Sequence, residues 1–169
     1  MSTSTAETAV PGLSVPEAGA LAVSSAKREG FSLFTANARE ARLGSDLDNL
    51  SDAATWYLDR VRPGGTVLVR DGKTGCWVAG PGVGSHPLLV PAFAVEAVDS
   101  NGAGDAHGGV FAAALARGEE PRRAATRANA AAALAVTRSG PATAPTSAEI
   151  DALIAGRHGS LDHGEAIPS

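Results

Sequence analysis

The stretch Asp99-Ser100-Asn101-Gly102-Ala103-Gly104-Asp105-Ala106 decides how this chain reads. It lies between the mostly apolar segment Leu88 to Val98 and the alanine-rich run Ala106 to Arg117, so its glycines mark a turn from an extended segment into a helix. A helix starting there presents unpaired backbone N–H groups and the positive end of its dipole, and both favour an anion. Glycines, lacking a Cβ, let a phosphate approach the main chain. Gly102, Ala103 and Gly104 are therefore candidate donors to an anion, and Asp105 stands at the rim of that cradle. Local grammar leaves a second reading open: Asp105 as a helix N-cap and Gly-Ala-Gly as a tight turn.

Two common nucleotide signatures are excluded. A dinucleotide fingerprint counted from Gly102 needs glycine at position 107, where this chain has His107, and no Gly-Lys-Ser/Thr follows to form a Walker-type loop.

Composition sets wider bounds. The 169 residues fall within the range of one domain. Aromatic residues make up only 4% of the chain, so the core must rest on Val, Leu and Ala. A net charge of −4 argues against nucleic acid as a partner, because phosphate-backbone binding needs a basic face. Cys76 is the single cysteine and cannot form an internal disulfide. With no long apolar run and no cleavable leader, the expectation is a cytoplasmic protein without a membrane partner.

Residues 1–28 are rich in Ser, Thr, Ala, Gly and Pro and read as a flexible tail, with room for one short helix over 16–26. The ordered domain is expected over 29–155, and 156–169 reads as a frayed tail. Within the domain, Phe31 to Thr35 reads as a strand that delivers Asn37, and Leu50 to Arg62 as a helix capped at Asn49 or Ser51 and stopped by Pro63. Thr66–Arg70 and Cys76–Ala79 read as a hairpin-like pair across Asp71-Gly72, with Pro81 to Pro91 as a loop and edge segment. Helices follow over Ala106 to Arg117 and Pro121 to Thr137, and a capping box at Thr146-Ser147-Ala148-Glu149 opens a last one to Ala155. Eight alanines between Ala124 and Ala135 permit close helix packing.

Asp99 to Gly108 (DSNGAGDAHG) resembles the second signature of the ribokinase-like, or PfkB, carbohydrate kinases, D-T-x-G-A-G-D-x-F. Three further elements match in order: Asn37-Ala38-Arg39-Glu40 as the family's Asn-x-x-Glu, Val67 to Gly75 as a strand ending in a Gly-x-x-Gly loop, and Ala128-Asn129-Ala130 leading to Thr137-Arg138-Ser139-Gly140. His107 stands where the signature has phenylalanine.

The resemblance covers roughly residues 31–155. It implies a ribokinase-like three-layer α/β/α fold, of which this chain would be the carboxy-terminal half. The half carrying the lid and much of the sugar pocket would lie outside it. The implied activity is ATP-dependent phosphoryl transfer to a hydroxyl of a sugar or sugar-like molecule. The alternative is a nucleotide-binding remnant without catalysis. The partner is left open between a homodimer and a complementing chain.

On that resemblance Asp105 is the base and Gly102, Ala103 and Gly104 the anion hole for the transferring group. Arg70, Gly72, Gly75 and Asn129 bind the nucleotide, and Asp99 belongs to a loop able to hold a monovalent cation such as K+. Asn37 and Glu40, three residues apart, share one face of a helical turn and act on Mg2+ through water. The residues alone allow blander readings: a local capping pair for Asn37 and Glu40, a solvated arginine in an ordinary turn for Arg70, and an exposed helix asparagine for Asn129. His107 reads as a packing or surface residue, and Cys76 and Trp77 as strand packing.

Overall fold

The computed structural model of the protein describes residues 32–140 and 144–161. The expected tail at 1–28 lies outside the described residues, as does Phe31. Strand β1 (Leu33–Asn37) runs parallel to β2 (Thr66–Arg70) and is joined to it through helices α1 (Ala38–Ser45) and α2 (Leu50–Leu58). A short 3-10 turn at Gly72–Thr74 reverses the chain into β3 (Gly75–Ala79), which pairs antiparallel with β2 and with β4 (Leu88–Pro91). Sheet order is β1-β2-β3-β4. Helices α3 (Ala103–Ala116), α4 (Pro121–Val136) and α5 (Ser147–Leu161) complete the described chain.

Alternation along the strands divides the core in two. Val67, Val69 and Ala79 face α1 and α2, packing with Ala41, Ala53, Ala54 and Tyr57. Leu68, Cys76, Val78 and Val90 face the other way, against Phe111 and Ala114 of α3 and Ala124, Ala125 and Ala128 of α4. The three-layer α/β/α arrangement expected from the sequence is therefore present. Small side chains let α3 and α4 approach the sheet closely, and Phe111 fills the space between them. A third cluster seats Ile150 of α5 against Phe93, Ala130 and Ala131.

Several boundaries differ from the sequence expectation. The first strand lies two residues later, so Asn37 is both its last residue and the cap of α1. Helix α2 is capped by Asn49 as expected but ends at Leu58, where the N–H of Arg60 bonds to Tyr57 three residues back and tightens the last turn ahead of Pro63. Helix α3 starts three residues early, at Ala103, and α5 continues to Leu161, into what had read as a frayed tail. The Thr146–Glu149 capping box is formed as expected. Among the described residues no helix is long and apolar enough to cross a membrane.

Candidate functional site

Parallel pairing of β1 and β2 sets Asn37 opposite Arg70, so both residues stand at the carboxyl ends of their strands. That edge is where open α/β sheets bind ligands. A cavity of about 930 Å³ opens there. Its lining joins Asn37 and Arg39, the turn residues Arg70 to Lys73 with Gly75, the start of α3 at Ala103 and Gly104, and Asn129 on α4. Four segments read separately along the sequence thus meet around one space, of a size typical for a small-molecule site.

The glycine turn opens helix α3. Gly102 is the cap of α3, in the left-handed conformation (φ 76°), with no side-chain cap bond. The N–H of Ala103 is spent on a long 3.4 Å bond to the Ser100 carbonyl. Among the described residues the N–H groups of Gly102, Gly104 and Asp105 meet no backbone carbonyl, so open donors begin at Gly102 and continue one position past Gly104. Asp105 is the third helical residue, exposed, and its carboxylate has no hydrogen bond among the described residues. The N-cap reading of Asp105 therefore fails. Its side chain stays free, one residue on from Gly104, which lines the cavity.

Arg70 is drawn in to meet this turn. Its Nη1 donates to the Gly104 carbonyl at 2.8 Å, and its Nε is buried without a partner. A Cβ on Gly104 would lie 2.6 Å from that Nη1, so the glycine makes room for the guanidinium. No carboxylate pairs with Arg70 among the described residues. An unpaired, half-buried cation beside open backbone donors favours an anionic ligand. The solvated-arginine reading does not hold. Gly75 answers to a different need, since a Cβ there would lie 2.1 Å from the Val90 carbonyl, and its absence permits the β3–β4 pairing. Gly72 takes a positive φ in the turn.

Asn129 is only 4% exposed, contrary to the reading of an exposed helix asparagine. Its Nδ2 donates to the carbonyls of Val90 (2.8 Å) and Pro91 (3.1 Å), which fixes its Oδ1 as the acceptor from His107 Nε2 at 2.8 Å. His107, also 4% exposed, is thereby the Nε2–H tautomer. Its Nδ1 is buried without a partner. Burial first, and the Arg70 charge as a lesser cause opposed by the Asn129 bond, lower its pKa to about 4. The Asn129 amide ties α3 and α4 to the end of β4 and leaves its side-chain surface, rather than free donors, to the cavity. Burial pushes the Cys76 thiol up to about 12, which fits strand packing and an inert sulfur.

Asn37 and Glu40 form a capping box: Asn37 Oδ1 accepts from the Glu40 N–H at 2.9 Å, and Glu40 Oε2 accepts from the Asn37 N–H at 2.8 Å. Asn37 Nδ2 is a donor and cannot ligate a cation, so what this pair leaves open to a hydrated one is the second Glu40 oxygen and the remaining lone pair of Asn37 Oδ1. No group of three or more His, Cys, Asp or Glu side chains able to hold a metal occurs among the described residues. Asp99 Oδ1 accepts from the Asn101 N–H at 2.9 Å and shapes the turn leading to the cradle.

The cavity also includes residues that sequence reasoning passed over. Arg39 and Lys73 add positive charge, and both sat inside motifs already singled out, between Asn37 and Glu40 and between Gly72 and Gly75. Phe93, Val95, Ala132, Ala133 and Val136 make an apolar wall. No local pattern in the sequence marked that wall.

The pfkB family carbohydrate kinase model matches residues 5–148, including the span that composition assigned to a tail. This chain belongs to the pfkB carbohydrate kinase family. It is 34% identical over 122 residues to the ribokinase of Bacillus subtilis, an alignment covering 72% of this chain and 39% of that protein. The bifunctional protein HldE of a Caulobacter species is likewise 34% identical, over 77% of this chain and 27% of its own length. Among solved structures, ribokinase from Thermotoga maritima superposes with a TM-score of 0.64 at 30% identity, covering 74% of this chain and 42% of that one. A putative ribokinase II from E. coli, in complex with ATP and Mg2+, gives 0.64 and 30% over 74% of this chain and 39% of its own. The pfkB chain described here thus spans about two fifths of the length of the ribokinases it matches.

Proposed function

We propose that this pfkB chain binds ATP and carries the base for phosphoryl transfer to a hydroxyl of a sugar or sugar-like molecule. The observation that carries the reading is the cavity in which the glycine turn, Arg70, Lys73 and Arg39 converge, with the unpaired Asp105 next in the chain to Gly104 of its lining. Such transfer needs electrostatic stabilisation of the transferring oxygens and a base for the attacking hydroxyl. The N–H groups of Gly104 and Asp105 and the α3 dipole supply the first, reinforced by the Arg70 guanidinium. The Asp105 carboxylate accepts the hydroxyl proton.

A magnesium ion would neutralise phosphate charge, held by the phosphates and water with Glu40 as outer-sphere support. Asp99 belongs to the turn proposed to carry a monovalent cation such as K+. The E. coli neighbour crystallised with ATP and Mg2+ supports the nucleotide and the metal.

The test pairs two measurements on the native chain and on Asp105→Asn: ATP binding by calorimetry, and transfer of the γ-phosphate to ribose or to water. Binding is expected to be retained while transfer falls by about 100-fold or more, the scale of a lost general base. Equal transfer rates in the two proteins would remove Asp105 as the base. A second reading, nucleotide binding without transfer, is favoured by the two-fifths coverage of the relatives. Tight ATP binding with no transfer in the native chain would select it.

A further inference from the structure

Two buried side-chain atoms beside the start of α3 have no partner and are of opposite kinds: Arg70 Nε has a proton to donate, and His107 Nδ1 has a lone pair to accept it. The second assignment follows from Asn129, whose amide donates to Val90 and Pro91 and therefore accepts from His107 Nε2–H. The first turns of α3 bring the two side chains to one place. A Cβ on Gly104 would point at Arg70 Nη1, so the guanidinium lies on that face of the helix. His107, three residues on, stands on the same face. The Gly104 carbonyl that holds Nη1 is directed along α3 towards the turn of His107, while helical side chains lean back towards the amino end. Both residues line the cavity, and after burial the Arg70 charge is a further cause of the lowered His107 pKa.

We propose that His107 is a positioning residue for Arg70: its Nδ1 accepts a hydrogen bond from Arg70 Nε, closed by a small rotation of the guanidinium about its Nη1 anchor. With Nη1 on Gly104 and Nε on His107, the guanidinium is held at two points, and Nη2, which has no hydrogen bond among the described residues, is left for an anion in the cavity. A buried donor needs an acceptor, and a neutral imidazole supplies one without cancelling the positive charge as a carboxylate would. The Val90 and Pro91 carbonyls, Asn129, His107, Arg70 and the Gly104 carbonyl then form one chain of hydrogen bonds from β4 through α4 and α3 to β2. The phenylalanine that the signature has at this position could join neither bond of the ring. The effect on an anion rests on the nucleotide-binding reading above, whereas the pairing itself does not.

Nuclear magnetic resonance on the isotopically labelled 169-residue chain, without ligand, tests the pairing. A scalar coupling across the hydrogen bond between Arg70 Nε and His107 Nδ1 is expected, and its absence overturns the inference. Calorimetric titration with ATP and magnesium then separates positioning from a purely structural role. His107→Phe is expected to weaken binding about tenfold in the native background and less than about twofold in Arg70→Ala, the non-additivity of two groups acting through one contact. An equal loss in both backgrounds, or no loss in the native one, overturns the positioning role. Absence of ATP binding by the native chain overturns the nucleotide reading, and the positioning of Arg70 for a triphosphate with it, even where the coupling is present.

Discussion

His107 is a buried base whose neutral form the fold requires. Its pKa is lowered from 6.5 to about 4, so between those values the unfolded chain binds a proton at this ring that the folded chain does not. Stability from this group is complete above pH 6.5 and is lost as pH falls towards 4. The full loss is on the order of 3 kcal/mol. Urea denaturation at pH 7.5 and pH 4.5 should show it as a native decline that is smaller in His107→Phe. An unchanged decline in that variant would assign the acid sensitivity to other groups.

Asn129 is more exacting, because its amide satisfies two carbonyls and orients a histidine. Asn129→Ala leaves these groups buried without partners and should destabilise by about 3 kcal/mol, read as a lower urea midpoint at unchanged slope. The sequence showed a polar residue in an alanine helix and allowed two readings, one facing a nucleotide and one facing water. Burial against the end of β4 comes from residues 38 and 39 positions away in the chain. No local pattern carries that information.

At the scale of elements, caps and breakers were legible because their chemistry is local. Asn49 opens α2, Thr146 and Glu149 open α5, and Asn37 with Glu40 closes a reciprocal box at the start of α1. The start of α3 differs from the sequence expectation for a reason that is not local. Gly-Ala-Gly has poor helix propensity and reads as turn, yet Gly102 in the left-handed conformation caps the helix, and Arg70 grips the Gly104 carbonyl from β2. A tertiary bond thus settles where the helix begins. Gly104→Ala places a methyl 2.6 Å from Arg70 Nη1 and must displace the guanidinium. Nucleotide affinity in that variant should fall about tenfold with the fold retained, measured by calorimetry and circular dichroism. Unchanged affinity would show that Arg70 does not need this seat to hold phosphate.

For the molecule as a whole, binding and stability are linked through the cavity. A ligand that binds only the folded chain raises its stability by about 2.7 kcal/mol at one hundred times its dissociation constant. ATP should therefore raise the melting temperature of the native chain and of Asp105→Asn alike, and Arg70→Ala should lose most of the rise. Scanning calorimetry with and without nucleotide reads this. An equal rise in Arg70→Ala would place the triphosphate away from the α3 turn.

The sequence by itself determined the alternation of apolar residues that gives the strands two covered faces, the caps that open most helices, and four spaced motifs sufficient for the pfkB resemblance. All of these follow from chemistry acting over a few residues, and order along the chain preserves it. The tertiary structure alone decided that Arg70 reaches the first turn of α3, that Asn129 is a buried clamp, and that apolar residues of segment 92–97 and α4 line one cavity with Arg39, Arg70 and Lys73. Each depends on strand register and helix packing, which bring together groups that the chain keeps tens of residues apart, and the free energy that fixes them is shared across the core.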